Sequence, residues 1–209
     1  MNRRLLPIAI AAAAAAGCTV TAPTVAFSAI CSMPDAATCA FGGTCDAQIL
    51  SPAAIDLSIT NELFLGVEAH NQALDNSDKA SGRINTHDAY VQEIDISYAG
   101  GALAIPSTSA RMQQRIPANG TAVLGILPIP AGAGLTGGSL GFGTTTQVIA
   151  TMKGKGIFGD GSSFETPEFE IPITICNGCL GAIPPCADPV QTLFVCPQDG
   201  QRPLTFTCK

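Results

Sequence analysis

The stretch Leu63-Phe64-Leu65-Gly66-Val67-Glu68-Ala69-His70 decides the fold of this 209-residue chain. Its odd-numbered positions are all apolar, whereas its even-numbered positions include a glycine, an acid and a histidine. Because successive side chains of a β-strand point to opposite faces, this pattern predicts a strand with one face in an apolar core. Outside the first 17 residues, no comparable stretch has apolar residues at helical spacing.

The same period of two recurs on both sides of this stretch. It predicts strands at 55–60, 94–98, 148–153 and 168–175, with weaker signals at 122–127 and 204–207. The run Gly159-Asp160-Gly161-Ser162 predicts a hairpin turn. Pro172 cannot donate to a strand ladder, so its strand is expected at a sheet edge or with a bulge. Short strands joined by turns and loops favour an all-β antiparallel sandwich.

The composition agrees with this fold class. The chain has 22 glycines, 15 prolines and no tryptophan, which is typical of short strands with irregular connections and excludes a helical bundle. Two connections are long: residues 71–89 are polar, and residues 128–144 are rich in glycine. Loops of this length are either functional or solvated surface segments.

A leader precedes the strands. Arg3 and Arg4 are followed by an apolar run of 13 residues, 5–17. A bilayer core needs about 20 such residues, so the run predicts a signal peptide over residues 1–17 rather than a membrane span. Without it, 192 residues remain, with eight basic residues against 16 acidic ones and a net charge of −8. Such an acidic chain is a poor candidate for nucleic-acid binding.

The leader ends in Ala15-Ala16-Gly17-Cys18, which resembles the lipobox of bacterial lipoproteins. The resemblance implies that Cys18 carries a diacylglycerol and an acyl chain (palmitate), which together form a stable membrane anchor. In such proteins a residue other than aspartate after the lipidated cysteine favours the outer membrane, and Thr19 fits that pattern. An ordinary secretory signal peptide is the alternative.

The remaining cysteines are expected to form disulfide bonds. The chain has nine cysteines, and an odd number leaves one thiol unpaired unless Cys18 is lipidated. The other eight fall into an early group of three and a late group of five, so full pairing requires one or three bridges between the groups. The pairing itself stays open. The eight are Cys31, Cys39, Cys45, Cys176, Cys179, Cys186, Cys196 and Cys208.

These features predict four segments. Residues 1–17 are the signal peptide, and residues 18–52 are a lipidated, cysteine-containing segment whose part 19–30 is interpreted as a tether. Residues 53–175 form the sandwich, and residues 176–209 form a cysteine-rich tail packed on the sandwich and on the N-terminal segment.

We find no motif that predicts a catalytic residue, a metal site or a cofactor. Cys176 and Cys179 have the C-x-x-C spacing of redox dithiols and of half a zinc site, but no second pair follows, so a disulfide is the leading interpretation. The string at 137–141 matches G-x-S-x-G, yet no histidine follows Ser139. His70 and His87 lack ligand-like spacing. Residues 75–80 resemble a calcium loop only in part, because Lys79 and Ala80 replace an oxygen ligand and a glycine.

The body of the chain is similar to late-embryogenesis-abundant type 2 (water-stress) domains. The similarity is carried by residues 63–71, which contain Val67-x-x-x-Asn71, by the strand at 94–98, and by Ile116-Pro117-Ala118-Asn119-Gly120. It implies an immunoglobulin-like sandwich over about residues 55–175, although that family lacks the cysteine-rich ends. The whole pattern also resembles uncharacterised lipoproteins of myxobacteria-like organisms, which imply no activity.

The expected function is therefore a non-enzymatic structural or binding module, anchored by lipid in the outer membrane. Its expected partners are the membrane and an envelope protein or glycan. Two alternatives stay open: a periplasmic thiol-disulfide protein that uses Cys176 and Cys179, and a surface lipoprotein that binds carbohydrate or peptide through the loops 71–89 and 128–144.

Overall fold

The computed structural model describes residues 24–31, 41, 44–45 and 52–179, and the backbone of two short strands at 193–195 and 206–208. Within these residues the chain is all-β, apart from two short 3-10 turns, Ala131–Ala133 and Gly137–Ser139. No helix in this part of the chain is long and apolar enough to cross a membrane. The strands are β1 Val25–Cys31, β2 Ala53–Asp56, β3 Leu63–Asn71, β4 Ala89–Ala99, β5 Thr108–Ile116, β6 Gly120–Ile129, β7 Thr145–Phe158, β8 Ser163–Glu165, β9 Phe169–Cys176, β10 Leu193–Val195 and β11 Phe206–Cys208.

The strands form a sandwich of two sheets. A three-stranded sheet has the order β1-β3-β6, and a six-stranded sheet has the order β2-β9-β7-β4-β5, with β8 paired to β7. All these pairs are antiparallel except β2 with β9. A separate antiparallel pair, β10 with β11, lies near the C-terminus. The all-β sandwich predicted from the alternation is confirmed.

One apolar core fills the space between the two sheets. In β3, the four odd-numbered apolar positions from Leu63 to Ala69 are completely buried, as the alternation predicts. Burying one large aliphatic side chain stabilises a fold by about 1.5–3 kcal/mol. The largest side chains with less than 2% exposure are Ile55, Leu63, Leu65, Ile94, Ile96, Ile116, Leu124, Ile129, Met152, Ile171, Ile173 and Ile175.

Most predicted strands are present, several of them longer than predicted. The patterns at 63–70 and 168–175 correspond to β3 and β9, and those at 94–98, 122–127 and 148–153 lie inside β4, β6 and β7. The pattern at 55–60 extends too far, because β2 ends at Asp56 and a turn follows. The 159–162 hairpin turn is confirmed: Phe158 N–H donates to Ser162 O at 2.8 Å.

The tether predicted over residues 19–30 is wrong for its last part. Val25–Cys31 forms β1, an edge strand of the three-stranded sheet, and Val25 is buried. A register shift between Phe27 and Ala29 places Ser28 in a bulge, which interrupts the alternation and hides the strand in the sequence. The sandwich therefore begins well before residue 53.

Strand β5 was not predicted, because its sequence, TSARMQQRI, is largely polar. It forms one edge of the six-stranded sheet and carries two arginines on its exposed face. Charged side chains on an edge strand discourage pairing with another chain. The polarity that hides this strand in the sequence is therefore explained by its position.

The edge position predicted for Pro172 holds only locally. Strand β9 lies between β7 and β2, but β2 pairs with β9 only from Ile173 to Cys176. Pro172 lies just before that pair begins, and no register shift interrupts the pairing of β9 with β7. A residue without an N–H is thus accommodated where one side of β9 has no partner among the described strands.

The strand directions give the sandwich two chemically different ends. The entry end, where β1 begins, comprises Thr24, the loop 72–88, the turn 117–119 and the hairpin 159–162. The far end comprises the segments 57–62, 100–107, 130–144 and 177–179. Polar bonds join the two sheets near both ends: Asn71 Nδ2 donates to Ile116 O at 3.3 Å, and Tyr98 donates its hydroxyl to Pro128 O at 2.5 Å.

We expect Gly156→Ala to destabilise the fold. A Cβ at this buried position in β7 would press against the carbonyl oxygen of Tyr90 and would lie 2.8 Å from the ring of Phe164. Because a backbone oxygen cannot turn aside as a side chain can, the free energy of unfolding is expected to fall by about 1–3 kcal/mol. Denaturant unfolding measures this loss. Gly132→Ala is the control, since a Cβ there meets nothing within 4 Å; equal stability of the two variants contradicts the close packing.

Candidate functional site

The far end contains the most distinctive cluster of chemical groups in the described residues. Strand β9 ends at Cys176, and Gly178, with φ of 83°, turns the chain back so that Cys179 pairs with Cys176 in a disulfide. Their Cα atoms are 5.8 Å apart. Cys176 is completely buried, whereas Cys179 is partly exposed. The C-x-x-C segment is therefore a disulfide between a completely buried cysteine and a partly exposed one.

Asp56 lies against this disulfide and is completely buried. It is the last residue of β2, and the parallel pairing of β2 with β9 places it opposite Cys176. Its Oδ1 accepts hydrogen bonds from Ser58 N–H at 2.9 Å, Ser58 Oγ at 2.7 Å and Gly178 N–H at 2.7 Å. A carboxylate oxygen of Asp56 and the two sulfurs all lie within 4.8 Å of one another.

Asp56 was not predicted as a site residue. The 55–60 alternation assigned it to the solvent-facing side of a strand, with Ser58 and Thr60. In the structure all four residues of β2 are buried, as is typical of strands covered on both faces. The parallel pairing with β9 joins residues more than 100 positions apart, so no local pattern reveals it. A signal was available in the spacing Asp56-x-Ser58, which is typical of a side chain that accepts from the backbone two residues on.

Asn177 connects the disulfide turn to the long 130–144 loop. Its side chain is 8% exposed, and its Nδ2 donates to Gly137 O at 2.7 Å and to Leu140 O at 2.8 Å. The backbone adds a bond from Gly143 N–H to Asn177 O at 2.7 Å. The loop predicted from its glycine content is therefore attached to the sandwich at several points.

Phe142 covers the turn from outside. Its side chain is 82% exposed, yet a Cβ added to Gly178 would lie 2.5 Å from the ring. The left-handed φ favours glycine at 178, and the exposed ring of Phe142 would have to move to admit a Cβ there. The far end thus presents an exposed aromatic ring beside the partly exposed Cys179.

The G-x-S-x-G string has none of the geometry of a nucleophile elbow. Gly137–Ser139 forms a 3-10 turn in the 130–144 loop, with no α-helix after it, and Ser139 Oγ accepts a hydrogen bond from Thr136 N–H at 3.0 Å. Both histidines lie near the entry end, His70 in β3 and His87 in the 72–88 loop. The far end therefore offers Ser139 no imidazole base.

The polar side chains of the entry end that the sequence offered as possible ligands form hydrogen bonds within the fold. His87 Nδ1 lies 2.7 Å from Leu74 O, within the loop itself. Asp88 is 6% exposed; its Oδ2 accepts from Arg115 at 2.6 Å, and its Oδ1 accepts from Ala118 N–H at 3.0 Å. A buried carboxylate with this many donors fixes the loop, strand β5 and the turn after it relative to one another.

The partial calcium loop forms turns. Asp75 Oδ1 accepts from Ser77 N–H at 2.7 Å, and Asp78 Oδ1 accepts from Ala80 N–H at 3.0 Å. The backbone bond from Ser77 lowers the pKa of Asp75, and the hydroxyl bond from Ser81 lowers the pKa of Asp78. These carboxylates use their oxygens to close side-chain-to-backbone turns.

The two long loops do not form a joint surface. The loop 71–89 lies at the entry end and the loop 128–144 at the far end, with the length of the sandwich between them. A concave patch between the tips of both loops is therefore not formed, whereas binding of carbohydrate or peptide by the protein stays a prediction. Three strands, β4, β5 and β6, separate the two loops along the chain. Because each strand leads from one end of the sandwich to the other, an odd number of strands places the loops at opposite ends.

Four of the predicted disulfide cysteines are described as bonded. Cys31 pairs with Cys45, with a Cα separation of 5.2 Å, and Cys176 pairs with Cys179. Cys18, the predicted lipidation site, lies outside the described residues, as do Cys39, Cys186 and Cys196. Cys208 ends β11, of which only the backbone is described. The pairing of Cys39 and the late cysteines stays a prediction.

Comparisons of the chain with models of known protein families, with curated proteins and with solved structures found no match. The chemistry of the site therefore has to be inferred from its own residues.

We expect Asn177→Ala to loosen the 130–144 loop. The variant leaves the carbonyl groups of Gly137 and Leu140 without their amide donor. Because these acceptors are only partly buried, the loss of each hydrogen bond is expected to cost about 0.5–1.5 kcal/mol. Hydrogen exchange should become faster at the backbone amides of 139–144 and stay unchanged in β3, with unchanged exchange across the loop as the contrary result. Asn85→Ala, which removes an amide at the entry end, is the matched control.

We expect Cys39 to be linked to one of Cys186, Cys196 and Cys208. If all eight non-lipidated cysteines pair within the chain, the two observed bridges leave one early and three late cysteines, so one bridge joins the groups. Mass mapping of non-reduced peptides tests this. A free thiol at Cys39, or a link from Cys39 to another molecule, contradicts it.

Proposed function

We propose that the protein is a lipid-anchored lipoprotein of the outer membrane, where its sandwich acts as a non-enzymatic structural or binding module. The leader over residues 1–17 and the lipobox at 15–18 support the anchor. The nine cysteines support the same localisation, because lipidation of Cys18 leaves an even number of cysteines to form disulfides outside the cytoplasm.

The position of β1 is the structural observation that supports this function most. Only six residues separate Cys18 from Val25, the first residue of β1. At no more than about 3.6 Å per step, the seven Cα–Cα steps from Cys18 to Val25 span at most roughly 25 Å. Because Val25 is buried and β1 pairs along β3, a lipid on Cys18 holds the folded domain itself close to the membrane, with the entry end towards it.

The far end then points away from the membrane. Strand β7 contains 14 residues and runs between the two ends, which corresponds to about 45 Å at 3.3 Å per residue. The 130–144 loop, Phe142 and the Cys176–Cys179 disulfide are thus presented to partners in the envelope space.

A glycan or peptide ligand is the second candidate for such a module. The outer face of the six-stranded sheet has an open groove of about 450 Å³, whose lining residues are mostly serines, threonines and charged residues but which also exposes their apolar atoms. Among them, Asp95 is part of an ion pair with Lys155 at 2.6 Å, and Lys153 pairs with Glu165 at 2.5 Å. A groove of this polarity suits a ligand with many hydroxyl or amide groups.

We expect Cys18→Ser to abolish membrane anchoring. The variant removes the thiol that would carry the diacylglycerol, and one remaining lipid chain or none gives at most marginal membrane binding. Labelling with a fatty-acid analogue should mark the wild type and fail for Cys18→Ser, and detergent phase partitioning should show the same difference. Thr21→Ser is the control for a change within the segment before β1. An unlabelled wild-type protein that is recovered without detergent contradicts the proposal.

A further inference from the structure

We propose that Cys176 and Cys179 exchange their disulfide with an external dithiol or disulfide, and that Asp56 carries the proton of the buried Cys176 sulfur. The inference rests on the juxtaposition of a buried carboxylate with an asymmetric C-x-x-C pair. It goes beyond the anchored module proposed above and does not depend on the lipid.

The exposure of the two sulfur-bearing residues decides which sulfur reacts first. Cys179 is partly exposed at the end of the turn, and Cys176 is completely buried at the end of β9. An incoming thiolate can therefore reach the sulfur of Cys179, while Cys176 is the leaving group and, in the reverse direction, the resolving thiol. Phe142, which is 82% exposed and lies against Gly178, offers an apolar contact to the partner that carries the thiol.

The proposed reaction is a thiol-disulfide exchange in two steps. One thiolate of an external dithiol attacks Cys179 Sγ, the Cys176–Cys179 bond breaks, and Cys176 leaves as a thiolate. The second thiol of the partner then attacks the mixed disulfide and releases Cys179, so the partner is oxidised and the pair is reduced by two electrons. The two protons of the dithiol end on the two cysteine sulfurs.

Asp56 is placed to handle one of these protons. Its carboxylate is completely buried and lies within 4.8 Å of both sulfurs. A thiolate that forms at Cys176 is screened from water, so it needs a proton carrier inside the protein. In the direction that forms the disulfide, Asp56 accepts the proton of the Cys176 thiol, which becomes the attacking thiolate.

Hydrogen bonds that do not involve the disulfide hold the turn around Cys176 and Cys179 in place. Gly178 N–H donates to Asp56, Asn177 Nδ2 donates to Gly137 O, and Gly143 N–H donates to Asn177 O. The disulfide itself closes a separation of only three residues, against 14 for Cys31–Cys45, and in the chain-entropy model a crosslink that closes a shorter loop stabilises the fold less. The pair can therefore open without loss of the surrounding turn.

The first test measures the reduction of each cysteine in the full mature protein in detergent. The protein is equilibrated with graded mixtures of reduced and oxidised glutathione, and free thiols are alkylated and assigned by mass spectrometry. We expect Cys176 and Cys179 to become reduced together while Cys31 and Cys45 stay paired, and glutathione to be found on Cys179 rather than on Cys176. Reduction of the pair only under conditions that also open Cys31–Cys45 overturns the proposal.

The second test separates proton transfer from structure. In Asp56→Asn, an amide oxygen can still accept from Ser58 and Gly178, but the proton carrier is lost. We expect re-formation of the Cys176–Cys179 disulfide from the glutathione adduct to slow at least 10-fold near pH 7, and its rate to follow hydroxide concentration up to alkaline pH. Asp160→Asn is the matched control, because Asp160 accepts from Ser162 N–H as Asp56 does from Ser58 but lies in the entry-end hairpin, and it is expected to react like the wild type.

Two results count against this role of Asp56. If Asp56→Asn keeps both the wild-type rate and the wild-type pH profile, Asp56 carries no proton. If the variant fails to fold, the pH profile of the wild-type rate decides: a rate proportional to hydroxide throughout overturns the role, and a plateau around neutral pH supports it.

Uptake of one Zn²⁺ by the reduced protein, without any glutathione adduct, assigns the cluster to metal binding instead and overturns the exchange.

Discussion

The apolar interior between the two sheets is the constraint on which the rest of the structure depends. It is filled by aliphatic side chains with almost no exposure, and a backbone group that entered it without a partner would cost several kcal/mol. Within the range 52–179, the connections between strands are therefore made at the entry end or at the far end, except for the short segment 166–168 beside the middle of β7. The long loops and most of the buried polar side chains in this range belong to one end or the other, so the two ends can differ in chemistry.

The buried polar groups show how the ends are closed. Asn71 and Asp88 at the entry end and Asp56 and Asn177 at the far end are all at least nine-tenths buried, and each accepts or donates several hydrogen bonds. Tyr98 serves a similar purpose between the sheets, since burial raises its pKa to about 12 and keeps its phenol protonated as a donor to Pro128 O. These groups add little to the burial of apolar area, but they select one arrangement of the loops because any other leaves them without partners.

The alternation of apolar residues was sufficient to predict strands β3 and β9 and the sandwich itself, because burial on one face of a strand is a local pattern. It failed where the pattern depends on a partner far away in sequence. Strand β1 is hidden by the bulge at Ser28, and β5 is hidden by the polarity of an edge strand. Asp56 looked like a solvent-facing residue because nothing local to β2 indicates its parallel pairing with β9. The C-x-x-C spacing of Cys176 and Cys179 could be recognised in the sequence, but the carboxylate of Asp56 beside their sulfurs could not be predicted from it.

The same topology connects the anchor with the candidate chemistry. The first residue of β1 lies at the entry end, and the antiparallel order of β7 and β9 places Cys176 at the other end. A lipid on Cys18 would therefore keep the 72–88 loop near the membrane and hold the disulfide and Phe142 several nanometres from it. If both proposals hold, a thiol partner would reach Cys179 without approaching the membrane, because the proposed anchor and the proposed exchange use opposite ends of the sandwich. Neither proposal then requires a change of structure at the other end.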